Sequence, residues 1–163
     1  MWSREPHRRA ALLGLLALAG CGLTPVYGPD GGGTRLLGKI RLRDPETPID
    51  FFFNSRLSER LGPEDAPVYD LDYRISVGVV SQAITPDEVT TRYSLNGTAD
   101  FVLTGPDGAQ ITRGRVSNFT SYSTTGTTVS TLSAEADARQ RLAIMLADQV
   151  VTRLLAASMR LPG

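Results

Sequence analysis

The alternation between Val68 and Gln82 constrains this chain more than any other feature. Tyr69, Leu71, Tyr73, Ile75, Val77 and Val79 fall on one side of a two-residue period, and Asp70, Asp72, Arg74 and Ser76 on the other. Successive side chains of an extended chain point to opposite faces, so the pattern predicts a long strand with one buried and one solvated side. The pair Asp70 and Asp72 could be a metal or acid/base site, but same-face charges on a strand read first as its wet side. Thr85-Pro86-Asp87-Glu88 is turn-like, with proline suited to the first central position. A second long strand follows from about Val89 to Thr104, with Tyr93, Leu95, Ala99, Phe101 and Leu103 inward and Arg92, Ser94, Asn96, Thr98 and Asp100 outward.

Gly105-Pro106-Asp107-Gly108 is a hairpin turn, so the next strand, Ala109 to about Thr124, runs antiparallel to the one before it. Its phase is untidy, because Ile111 and Val116 fall on opposite sides of a strict alternation. A bulge near Arg113-Gly114 would reconcile them. From Ser117 to Ser130 the chain is rich in Ser and Thr with Phe119 and Tyr122, as on a solvated edge or a surface that another protein covers. Asn96-Gly97-Thr98 and Asn118-Phe119-Thr120 match the glycosylation pattern and are discounted.

Two helical patterns flank these strands. Pro48-Ile49-Asp50 opens the first, to about Leu61, with Asp50 as N-cap, Phe53, Leu57 and Leu61 on one stripe, and Gly62-Pro63 as the stop. Of Phe51, Phe52 and Phe53, one must lie off the main stripe and is available to a partner. The second is capped by Ser133 and runs to about Met159, with Glu135 and Asp137 early and Arg153 and Arg160 late, as the helix dipole favours. Leu142, Met145, Leu146, Val150 and Leu154 form its stripe, widened by Ile144, Val151 and Leu155. Such an arc needs both the sheet and a neighbouring helix. Leu36 to Leu42 alternates as a short first strand ended by Pro45 and Pro48. The expected fold is therefore α+β, two helices on one face of a four-stranded, mostly antiparallel sheet, in the order strand-helix-strand-strand-strand-helix.

The first residues concern address, not fold. Arg4, Arg8 and Arg9 precede an apolar run from Ala10 to Leu18 broken only by Gly14, far short of the about 20 residues of a spanning helix. Leu18-Ala19-Gly20-Cys21 then resembles the bacterial lipobox, in which the cysteine is acylated and becomes the new N-terminus. An ordinary signal followed by a buried cysteine is the competing reading. Lipidation at Cys21, with covalent acyl and diacylglycerol groups such as palmitate, would hold the domain on a membrane. Gly22 at the next position resembles the sorting rule for the outer membrane. The expected layout is a signal peptide at 1–20, the lipidated cysteine and a flexible linker at 21–34, and one domain at 35–163. The linker reading rests on the Gly- and Pro-rich Thr24 to Thr34; Gly31-Gly32-Gly33 has no preceding strand and no following Lys-Ser/Thr to make a phosphate loop.

Loss of residues 1–20 removes three of 17 basic and one of 17 acidic residues, leaving 14 against 16, so no global field attracts nucleic acid. The one histidine, His7, and the one cysteine lie before the domain. Ser-His-Asp and Cys-His catalysis, thiolate or imidazole metal sites and an internal disulfide are thereby excluded, so the chain is expected to be no enzyme and to need no metal or other cofactor.

Cys21-Gly22-Leu23-Thr24-Pro25-Val26-Tyr27-Gly28, Ala134-Glu135-Ala136-Asp137-Ala138-Arg139 and Leu146-Ala147-Asp148-Gln149 resemble the lipopolysaccharide-assembly lipoprotein family LptE, in its shorter alphaproteobacterial form. The resemblance covers the mature chain in layout and these segments in sequence. It implies a non-enzymatic outer-membrane lipoprotein, lipid-anchored at the periplasmic face. Its domain would plug and help assemble the barrel LptD and contact lipopolysaccharide on its way to the outer leaflet. The strand pattern, not the resemblance, selects Arg92, Arg113 and Arg115 as candidate contacts for that anionic lipid. Counting back from the turn sets Arg113 roughly opposite Asp100, where an ion pair would account for it instead. The alternative function is a scaffold or pilotin-like lipoprotein of another envelope transport or secretion complex.

Overall fold

A computed structural model describes residues 28, 31–84, 90–159 and 161; the expected signal peptide, Cys21, most of the expected linker, the expected turn at 85–88 and Arg160 lie outside the described residues. Among the described residues the chain forms a 3₁₀ turn (Gly32–Arg35), β1 (Ile40–Leu42), α1 (Pro48–Leu61), β2 (Tyr69–Ile84), β3 (Thr90–Thr104), β4 (Gln110–Ser123) and α2 (Thr128–Ser158). The sheet order is β1-β2-β3-β4, with β1 parallel to β2 and the other pairs antiparallel. This is the expected α+β architecture. Its single core joins the inner sheet residues Leu71, Tyr73, Leu95, Ala99, Phe101, Leu103 and Val116 to Phe53 and Leu57 of α1 and to Leu142, Leu146, Val150 and Leu154 of α2.

The first strand is shorter than its alternation suggests. Gly38 has φ +69 and turns the chain, donating its N–H to Leu61 O (2.8 Å) and accepting from Asp65 and Ala66. Leu36 is therefore buried ahead of the sheet, and only Ile40 to Leu42 pair with Tyr69 to Leu71. Folding also begins inside the stretch expected to be tether. Gly31, Gly32 and Gly33 are buried, Arg35 donates to Leu161 O, and a Cβ at Gly32 would stand 2.6 Å from Ser158 Oγ at the end of α2.

Both helix starts differ from expectation. The N-cap of α1 is Thr47, not Asp50: Asp50 sits three residues in, and the two side chains form a capping box. The buried Asp50 carboxylate accepts from the N–H of Thr47 (3.1 Å) and of Glu46 (3.3 Å). Helix α2 is capped by Thr127, not Ser133, with Ser130 N–H donating to its hydroxyl. The early turns carry no apolar stripe, since Val129 and Leu132 are exposed and burial starts at Ala138; periodicity therefore could not reveal them.

The bulge in β4 lies at Ile111 and not near Arg113-Gly114. Leu103 pairs with Thr112 but Thr104 with Gln110, leaving Ile111 as the extra residue. Beyond it Gly114, Val116, Thr120 and Tyr122 oppose the inner residues Phe101, Ala99, Leu95 and Tyr93. Burial in β2 fades towards its far end, where Val79 is 48% exposed, because no α1 residue borders it there.

Two strand glycines on opposite faces make a matched test. A Cβ on Gly97 would lie 2.8 Å from a methyl of the buried Leu142, whereas on Gly78 its nearest neighbour would be Asn96 O at 3.9 Å. Gly97→Ala is expected to destabilise the protein by about 1–3 kcal/mol through overpacking. Gly78→Ala is expected to be neutral or to stabilise it by roughly 0.5 kcal/mol. Urea unfolding of the two variants measures the difference.

Candidate functional surfaces

The helix-free outer face of the sheet divides into two halves. Nearest the β3–β4 turn, the cross-strand rows are Asp70, Thr104 and Gln110, then Asp72, Val102 and Arg113, then Arg74, Asp100 and Arg115. Beyond them the rows are Ser76, Thr98 and Ser117, then Gly78, Asn96 and Phe119, then Val80, Ser94 and Ser121, without a charge. Phe119 is 68% exposed in the middle of these rows, and Arg92, in the next row, lines a hollow with it.

Arg115, not Arg113, faces Asp100: pairing run on from Thr104 and Gln110 would set Gly114 there, and the bulge at Ile111 moves it one residue further, to Arg115. Its Nε and Nη2 donate to the two carboxylate oxygens at 2.6 and 2.9 Å. That fork holds the Asp100 carboxyl below its ordinary range and raises Arg115. Arg113 lies opposite Val102 and, among the described residues, makes no ion pair. With Arg115 and Arg153 it lines a hollow of about 310 Å³ between β4 and the last turns of α2. Arg92 is elsewhere: it pairs with Ser123 eight residues back along β3 from Asp100, roughly 26 Å at about 3.3 Å per residue. The structure thus brings Arg113 and Arg115 together, leaves Arg92 apart, and adds Arg153, which the sequence marked only as a cation near the helix end. Such a cationic hollow can bind phosphate or carboxylate; it carries no general base or nucleophile. Among the described residues no group of His, Cys, Asp or Glu could hold a metal ion.

The segments quoted from α2 have structural roles. Asp148 receives a fork from Arg56 (Nε 3.0 Å, Nη2 3.1 Å) and a third bond from Arg60 (2.6 Å), which joins α1 to α2. These bonds hold the Arg56 guanidinium firmly protonated. Gln149 donates to Ser117 O (3.2 Å), and Ala138 O accepts from Thr120 on β4 (3.1 Å).

On the inner side Tyr73 is 3% exposed, its ring centre 4.6 Å from that of Phe53 with the planes tilted by 45°, and the Arg43 guanidinium lies 5.0 Å from its ring centre. Its hydroxyl makes no hydrogen bond. Burial, and then the negative charge of Asp50, push its pKa up to about 12.

The sequence pattern of the LptE family, described as lipopolysaccharide-assembly, matches residues 39–154. No curated protein matches the chain. Among solved structures it is similar to a Caulobacter crescentus CB15 protein described as a lipoprotein, at 19% identity and TM-score 0.62, with 80% of this chain and 98% of that one covered. It is also similar to rare lipoprotein B from Shewanella oneidensis (13% identity, TM-score 0.55, 72% and 92% covered). A minor lipoprotein from Acinetobacter baumannii is a further match (16%, 0.50, 72% and 91%). At these identities the likeness is one of fold.

The raised Tyr73 pKa fixes a sign for alkaline stability. The folded state keeps its phenol proton while the unfolded chain loses it, so stability is complete below pH 10 and falls as pH rises towards 12. The expected loss is on the order of 2 kcal/mol. Tyr73→Phe should remove most of that fall and cost little at pH 7, since the lost hydroxyl has no partner. Urea unfolding at pH 7 and 11 checks both.

Proposed function

Because the chain belongs to the LptE lipopolysaccharide-assembly family, we propose that its domain, residues 35–163, partners an LptD-type outer-membrane barrel as plug and assembly factor. In this reading residues 1–20 are a signal peptide, Cys21 carries the acyl anchor, and residues 21–34 are the tether whose last turn docks on α2. The observation that carries the reading is the extent of the family match, from just ahead of β1 to the last turns of α2, which takes in the whole sheet and both helices. The outer rows from Ser76 to Val80, which carry no charge until Arg92 at their far end and have Phe119 exposed among them, support a face covered by a protein wall. Arg113, with Arg115 and Arg153 beside it, is the contact for lipopolysaccharide phosphates; Arg92 has no cationic neighbour in its own hollow. The work done is binding and positioning, and no bond is made or broken.

Tagged, full-length lipoprotein pulled down from outer membranes in mild detergent tests this. A barrel partner in equal amount is expected, retained in Cys21→Ala and lost when residues 35–163 are deleted. Recovery of inner-membrane transporter or secretin components alone would replace this function with the scaffold or pilotin-like one. In the same preparation Arg113→Ala should lower bound lipopolysaccharide about tenfold, the value of one charge-assisted bond, while Arg92→Ala leaves it unchanged.

A further inference from the structure

The edge of β2 is open for most of its length. Among the described residues β1 pairs only with Tyr69 to Leu71, so from Asp72 onwards no strand pairs with β2 on that side, although the Arg43 side chain lies against Tyr73 at the start of the stretch. Tyr69 donates its N–H to Lys39 O on the β1 side. The two-residue period of the strand then turns the N–H and C=O of Tyr73, Ile75 and Val77 to the same side, towards the open edge. The irregularities of β2 begin only after Ser81, so this stretch is straight ladder.

That edge borders a cleft. The first turn of α1 and the third turn of α2 stand off from β2 and leave about 830 Å³ between them, floored by Ile75 and Val77 and walled by Ile49, Phe52 and Ala136, with Arg43, Glu46, Asp50 and Arg139 also on its walls, each already in an ion pair. Arg74 is at its mouth. The Asp100 opposite Arg74 is already held by both nitrogens of the Arg115 fork, and Arg74 makes no ion pair. An acyl chain would fill the apolar floor but leave three residues' worth of backbone donors and acceptors without partners. An extended polypeptide satisfies both.

We infer that this cleft takes an extended segment of another protein as a fifth strand on the edge of β2. Main-chain bonds to Tyr73, Ile75 and Val77 hold it, alternate apolar side chains enter the cleft, and a carboxylate meets Arg74. The charge of Arg74 and the exposed backbone together specify the occupant. The inference goes beyond the barrel-partner reading, because it concerns a mode of attachment and holds or fails whichever envelope complex supplies the strand.

Hydrogen exchange of the full-length lipoprotein, in its detergent-solubilised membrane complex and after separation from it, reads the backbone directly. Amides of Tyr73, Ile75 and Val77 are expected to exchange at least tenfold more slowly in the complex; equal rates overturn the inference. Identity comes from photocrosslinking with p-benzoylphenylalanine at Ile75 or Val77. Adducts should fall two residues apart on one segment of another polypeptide, in step with the strand. Adducts to acyl chains, to a second copy, to residues 21–30 of the same chain, or at scattered positions overturn it. Arg74→Glu should lower adduct yield about tenfold and Arg74→Lys much less; an undiminished yield in Arg74→Glu also overturns it.

Discussion

A one-residue bulge at Ile111 decides which side of β4 meets the helices, and most of the surface chemistry depends on it. Without the extra residue, pairing would run on from Thr104 and Gln110 to set Gly114 against Asp100 and Arg115 against Ala99. A slip by one residue exchanges the faces of a strand. Arg113 and Arg115 would then enter the core and Val116, Thr120 and Tyr122 would face outward. With the bulge, Val116 fills the core, Thr120 hydrogen-bonds to α2, and both arginines reach the outer face. Burying two guanidinium groups without partners would cost far more than the one lost ladder bond.

The same event explains what could be read from sequence in this region. Ile111 and Val116 betray a phase change, but any residue between them could absorb it, and only the turn geometry places it at the first opportunity after Gly108. The long strands were legible because burial on one side imposes a period that polar residues mark on the other. The helices were legible where they are buried. The early turns of α2 were not, because Val129 and Leu132 face solvent and Thr127 caps a segment with no stripe. Arg113 and Arg115 were legible as outward cations, but their partners were not, since register and not residue type chooses between Asp100 and Val102. Arg153 reaches the same hollow from another element, which no local pattern can announce.

The two ends of the folded chain meet at one pole. The 3₁₀ turn packs on the end of α2, Arg35 bonds to Leu161 O, and the close fit at Gly32 leaves no room for a side chain. The β3–β4 turn and the charged half of the outer face lie towards this pole, as does Arg153 near the end of α2. On the proposed anchoring at Cys21, the tether therefore leaves the domain beside its cationic hollow, and the uncharged half of the sheet extends away from the anchor. Charge and anchoring point are thus coupled by topology: a chain that starts and ends at one end of long strands has no other place to attach.

The sheet has two free edges among the described residues, and they are protected differently. Along β4, the bulge at Ile111 and the charges of Arg113 and Arg115 interrupt the ladder that another strand would need, devices that commonly guard edges. Along β2 the irregularity is confined to Ser81 and beyond, and the inward side chains from Tyr73 to Val79 are all apolar. Asp72 and Arg74 put charges on the outer side of this stretch, but a regular edge with an apolar inner side still invites aggregation if it is exposed on a flat surface. Here α1 and α2 recess it, so a rigid sheet from a neighbouring molecule meets the helices first, whereas a single extended segment can enter. The recess follows from where β1 stops: after Leu42 the chain leaves the edge through Asp44 and Pro45 to begin α1 at Pro48, so no strand continues alongside β2 past Leu71.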